Sequence, residues 1–193
     1  MMKKTLLTAA ALFALSGCIS LGEEPPKALL TLAPSASATA GNGAMTVTPG
    51  QAITVLVPTV PAALATNRVP VRASSTELAY VKDAQWVDLP NRLFQQLLSE
   101  TIQARTGRPV LNPRQFTFDP GLRMSGELQE FGVDAGTQSA VVVFDGVIMR
   151  GQQVEKRRFE ARVPVAEIKS QPVGAALNDA ANQVAAQVAD WVK

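Results

Sequence analysis

Apolar side chains recur along this chain with two periods, and the changes of period mark its elements. From Leu89 to about Arg105 the residues Leu93, Phe94, Leu97, Leu98, Thr101 and Ile102 fall three and four apart. That spacing puts them on one stripe of an amphipathic helix. Asp88 is the expected N-cap, Pro90 suits the first turn, and Gly107 and Pro109 end the element. A second helix is expected from Val173 to Val192, with Leu177, Ala180, Ala181, Val184, Val188 and Trp191 as its stripe. This stripe is narrow and Ala-rich, so the helix can approach a sheet or another helix closely.

Elsewhere the period is two. Ile53–Val57 is a β-branched run ended by Pro58, and Ala28–Leu32 reads as a first strand. Pro61–Thr66 suits one helical turn. Arg68–Ala73 and Glu77–Val81 read as a short hairpin. In Leu122–Val133, Leu122, Met124 and Leu128 alternate with polar residues, then the apolar phase moves to Phe131 and Val133. Such a shift predicts a bulge near Gln129 or Glu130. Ser139–Arg150 is apolar on both faces through Ala140–Phe144, as in a central strand. Val154–Val165 puts Phe159, Ala161, Val163 and Val165 on one face and Lys156, Arg158, Glu160 and Arg162 on the other. Arg150–Gln153 is the favoured turn between the last two strands, with Asp145-Gly146 as a rival. The order strands, helix, strands, helix predicts a single α+β domain, with two principal helices packed on one face of a mainly antiparallel sheet. A strand apolar on both faces needs cover on both. A second copy, a partner or the Ala-, Ser- and Gly-rich loop Ala33–Gly50 are the candidates.

The first residues have a different logic. Lys3 and Lys4 precede the apolar run Thr5–Leu15, and Ser16, Gly17 and Cys18 follow. This is the layout of a secretory signal, and the run is too short to cross about 30 Å of hydrocarbon as a helix. Leu15-Ser16-Gly17-Cys18 resembles the lipobox of bacterial lipoproteins. The resemblance implies cleavage between Gly17 and Cys18, a diacylglycerol thioether on Cys18 and acylation of the new N-terminus. The expected organisation is a signal peptide over 1–17, a lipid-anchored tether over 18–27 and a periplasmic domain over 28–193. Cys18 is the only cysteine, so no intrachain disulfide can form.

Charge and composition then narrow the chemistry. The 18 basic and 16 acidic residues become equal once Lys3 and Lys4 are removed, which gives no support for a nucleic-acid partner. Histidine is absent, so the commonest general base and metal ligand are missing. No phosphate-cradling glycine motif or Gly-x-Ser-x-Gly occurs, and no catalytic residue, metal or cofactor is expected. Glu127 and Glu130, three apart on a strand, point to opposite faces unless the bulge intervenes. Lys156, Arg157 and Arg158 are split between two faces. Trp86, before the first helix, reads either as an anchor for the helix start or as an apolar contact for a partner or lipid. Trp191 carries the same two readings.

Several stretches together resemble the ABC-type transport auxiliary lipoprotein family, which includes the paraquat-inducible protein C type. They are the lipobox; Ile53-Thr54-Val55-Leu56-Val57-Pro58 with Val60-Pro61-Ala62-Ala63-Leu64; Arg68-Val69-Pro70-Val71-Arg72; and Leu78-Ala79-Tyr80 leading to Trp86 and the helix with Leu93, Leu97 and Leu98. The long hairpin with Arg158-Phe159 and the Ala-rich final helix also fit. The resemblance implies a non-catalytic lipoprotein beside an ABC transporter and its MCE-domain protein, in a system that moves phospholipid between two membranes. It would stand in the outer membrane, face the periplasm and dock or receive that assembly, with a homo-oligomer as one arrangement. Ile19, rather than aspartate, after the acylated cysteine agrees with outer-membrane sorting. The other classes are a structural lipoprotein of outer-membrane assembly and a periplasmic hydrolase.

Overall fold

The computed structural model describes residues 28–37, 47–48, 50–112 and 121–193. The signal peptide, Gly17, Cys18 and the tether lie outside these residues, as does most of the loop Ala33–Gly50.

Among the described residues, six strands form one sheet. They are β1 (Ala52–Val55), β2 (Arg68–Arg72), β3 (Leu78–Gln85), β4 (Gly121–Asp134), β5 (Ser139–Arg150) and β6 (Gln153–Pro164). The order is β3-β2-β4-β5-β6, with β1 also on β4. The pairs β2–β3, β4–β5 and β5–β6 are antiparallel. Long β4 takes two parallel partners on its other side, β1 beside its start and β2 beside its end. Between them a single bridge joins Thr59 to Glu127, and residues 62–64 make one 3-10 turn. The sheet is mostly antiparallel, as expected, and those two parallel contacts come from the way residues 52–72 follow β4.

Helix α1 (Pro90–Thr106) begins one residue after Leu89 and ends at Gly107, whose φ of 70° closes the last turn while its N–H donates to Gln103 O. The cap expectation needs correction. Leu89 stands at the N-cap with no side-chain cap bond; the Asp88 carboxylate accepts from the Leu89 N–H and pairs with Arg92 instead. Helix α2 (Ser170–Trp191) starts earlier than expected, because Pro172 falls in its first turn, where a missing N–H costs nothing. Both helices share one apolar core with one face of the sheet. Phe94 of α1 meets Phe131 and Phe144, whereas α2 presents Ala176, Ala180, Ala181, Val184, Ala185 and Val188.

Register decides which face each residue serves. Leu128 pairs with Phe144 and Glu130 with Val143, leaving Gln129 as the extra residue of a bulge. Leu122, Met124 and Leu128 before it, and Phe131 and Val133 after it, therefore all enter the core. The same bulge puts Glu127 and Glu130 on one face, the outer one. Val141 and Val143 also lie on that face and are only 2% and 6% exposed. Register sets Glu130 and Glu160 beside Val143 and Arg162 beside Val141, while Arg72 of β2 pairs with Glu130; long polar side chains in such positions shield apolar neighbours with their carbon stems. The both-sided strand thus needs no second copy to bury it.

The expected first strand is a single bridge. Leu30 N–H donates to Gln85 O and Leu30 O accepts from Val87 N–H, which gives one parallel step beside Trp86. The chain then leaves the sheet and follows α2 as a strap. Ala33 N–H donates to Asn178 Oδ1 at 2.8 Å and Ser35 N–H to Asn182 Oδ1 at 2.7 Å; Asn182 Nδ2 donates back to Ala33 O. Gly174 makes room for Leu30: a Cβ there would lie 2.6 Å from Leu30 Cδ2.

Candidate functional site

The outer sheet face carries a ladder of ion pairs. Arg158 grips Asp145, directly opposite on β5, through two bonds of 2.6 and 2.8 Å, and Lys156 approaches the same carboxylate at 3.6 Å. Asp145 is 5% exposed. The hydrogen bonds from Arg158 outweigh its desolvation and hold its carboxyl below the ordinary range. Further along, Arg72 bonds Glu130 at 2.6 Å, and Arg162 lies between Glu160 and Asp134. Asp145-Gly146, the rival turn, is strand interior; the turn is at Gly151, with φ of 60°. Glu127 sits on this face beside Asp145. It is not locked to Glu130, which Arg72 occupies.

Two apolar features interrupt the ladder. At the β5–β6 tip, Met149 and Val154 stand directly opposite each other, 46% and 62% exposed. At the other end, a pocket of about 100 Å³ lies between Pro61, Leu64, Pro70, Leu78 and Val141, with Arg72 and Glu130 at its rim. Ligand sites for small molecules begin near roughly 300 Å³, so this pocket is too small to enclose a lipid.

Trp86 is 1% exposed and packs on Phe131 at 5.3 Å between ring centres. It anchors the strand that leads into α1 and presents no surface to a partner, which corrects its reading as a contact. Trp191 is half-buried. Its ring leans on Phe159 and fills the space over Gly146, where a Cβ would meet it at 3.2 Å. An edge of this ring remains outside the core. Sequence reasoning missed the strap partners Asn178 and Asn182; two asparagines four apart on an otherwise Ala-rich helix were the available signal. It also missed the Asp145–Arg158 pair, because Asp-Gly resembles a turn. Among the described residues no group of histidine, cysteine, aspartate and glutamate could hold a metal ion. No described helix is long and apolar enough to cross a membrane.

The model of one protein family, described as the ABC-type transport auxiliary lipoprotein component, matches residues 30–189. No curated protein sequence matches significantly. Among solved structures, one described as an uncharacterized protein superposes with a TM-score of 0.65 at 14% identity, covering 77% of this chain and 97% of its own. Protein XCC0632 from Xanthomonas campestris, described under DUF330, gives 0.64 at 18% identity and covers 86% and 92%. At these identities the two structures establish the shared fold alone.

Proposed function

We infer the function from one premise: this chain belongs to the family of ABC-type transport auxiliary lipoprotein components. It is accordingly an auxiliary, membrane-anchored and periplasm-facing component of ABC-type transport. Our finer reading is that it docks an MCE-type assembly at the outer membrane and helps phospholipid cross the periplasm, by binding and geometry and without covalent catalysis. Gly17 is the last residue removed, Cys18 carries the acyl chains, and Ile19 directs the protein outward. ATP hydrolysis belongs to another subunit.

The observation that supports docking is the long β5–β6 hairpin with its apolar tip. Helix α2 is 22 residues long, or about 33 Å. The strap reaches the domain beside Gly174 at the start of α2, whereas Trp191 at its end lies over Gly146 on β5. The hairpin runs on past Gly146 to Gly151, so Met149 and Val154 lie at the end of the domain remote from the tether. A tip in that place reaches toward a partner in the periplasm, and Trp191 lies on the way to it. β6, hydrogen-bonded to β5 on one side, is the edge through which copies of the chain would join.

Photo-crosslinking from position 149 or 154 in living cells, followed by purification and mass spectrometry, tests this reading. An MCE-domain protein should be captured from the tip and not from the surface of α1. Capture of outer-membrane assembly proteins instead, or of no transport component, would overturn it. The same digest should contain an N-terminal peptide with an acylated Cys18; an unmodified cysteine on mature protein would remove the anchor.

A further inference from the structure

We propose that the corner of the domain carrying Leu29, Val87 and the Arg68–Tyr80 pair lies against the lipid surface that holds the chain, and that the strap keeps it there. The inference rests on the anchored reading of Cys18 and specifies which side of the domain meets the membrane.

The bridge between Leu30 and Trp86 sets the geometry. Those two side chains point inward, Leu30 into the gap left by Gly174 and Trp86 onto Phe131. Alternation along an extended chain turns their neighbours Leu29 and Val87 outward. They are 51% and 56% exposed, which places two of the most exposed large apolar residues of the domain at the site where the tether joins it. Arg68 pairs with Gln85, the residue before Trp86, so it points outward too. Its guanidinium lies 4.1 Å from the centre of the Tyr80 ring. Two aliphatic side chains beside an arginine stacked on a tyrosine suit a headgroup boundary: the first two enter the apolar edge, and the pair reaches carbonyl and phosphate oxygens.

The length of the tether points to the same occupant. About ten residues separate Cys18 from Ala28, and even fully extended they span no more than roughly 35 Å. As a flexible coil they average about 17 Å. The corner is where that short chain ends. Without the strap the first fixed residues would be those of β1, and the limit would rise to about 110 Å. The bonds to Asn178 and Asn182 and the seat of Leu30 on Gly174 therefore convert a long leash into a short one.

The test uses the full chain, purified from membranes and reconstituted in phosphatidylethanolamine–phosphatidylglycerol vesicles that contain a phospholipid with a photoactivatable headgroup. Mass spectrometry maps the adducts and reads the state of Cys18 in the same digest. Adducts should concentrate on Leu29, Arg68, Tyr80 and Val87 and be severalfold rarer at Met149 and Val154. Asn178→Ala with Asn182→Ala should even out the two ends while the melting temperature stays high enough to keep the sheet folded. If that pair unfolds the domain, Val87→Asp should by itself lower the yield at the corner severalfold. An acylated Cys18 with adducts spread evenly, or concentrated at the hairpin tip, overturns the proposal. If Cys18 proves unmodified, the anchored reading fails separately. A maleimide lipid coupled to Cys18 then restores an anchor, and the same map decides the question of orientation.

Discussion

Asp145 and Arg158 make unequal demands on each other. The carboxylate is almost fully buried, whereas the guanidinium on the edge strand is largely exposed. Removing the cation strands a buried charge, whereas removing Lys156 leaves the two bonds from Arg158 intact. Arg158→Gln should therefore lower the melting temperature at pH 7 well below the effect of Lys156→Gln. The sign of the pH dependence follows from Asp145. In the wild type its carboxyl is held below the ordinary value near 3.8, so its contribution is complete above that value and is lost as pH falls through the lower folded value. Without Arg158, desolvation works against the charged carboxylate with Lys156 alone left to favour it. The gap in melting temperature between wild type and Arg158→Gln should be widest near neutrality and narrow on acidification through the carboxylate range. Thermal melts at pH 7, 4 and 2.5 check this; a gap that stays the same below the ordinary carboxylate value would show that Arg158 acts through packing alone.

Single elements explain what could be read from sequence and what could not. The bulge in β4 was legible because it is a local parity change: Leu128 and Phe131 can both reach the core only if one residue between them is skipped. Deleting Gln129 should remove the bulge and leave Leu128, Phe131 and Val133 on the core face in strict alternation, so the domain should still fold. Phe131→Ala, which empties a core position, should by contrast cost about 3–5 kcal/mol; chemical denaturation separates the two. Both helices were legible for the same reason, since their stripes are periodic within one segment. The failures were non-local. Ala28–Leu32 has the residues of a strand, yet a single bridge satisfies it because Asn178 and Asn182, nearly 150 positions away, take over the next backbone groups. Asp88 has the side chain of an N-cap, but Pro90 moves the helix start to Leu89. The valines on the outer face of β5 read as unmet demand for a partner, because the sequence does not reveal that they are already buried in a face where arginines and glutamates of the other strands pair beside them.

The whole molecule separates its tasks by position. The strap corner lies at the start of α2 and the hairpin tip beyond its end, with a mixed-charge sheet face between them. Among the sequence readings, the candidate contacts fared differently: Trp86 went into the core, Trp191 stayed at the margin, and Cys18 lies outside the described residues. Charge adds little to membrane attachment, because the basic and acidic residues balance once Lys3 and Lys4 are removed. Two aliphatic side chains also contribute far less than acyl chains, which gain about 0.8 kcal/mol per buried methylene. Unacylated protein spanning residues 18–193 should therefore stay in solution with vesicles of either neutral or anionic lipid, at low and at high salt. Flotation assays check this; strong binding that disappears with salt would assign the attachment to charge.

The strap has one consequence for how such a chain can vary through evolution. Residues 38–51 connect the clamped strap to the first strand, and they lie downstream of the point that fixes the distance to the membrane. Insertions or deletions there leave that distance unchanged, whereas each residue added between Cys18 and Leu30 lengthens it by up to about 3.5 Å. Among homologous chains, the segment ahead of the strap should hold nearly constant length while the one after it drifts freely.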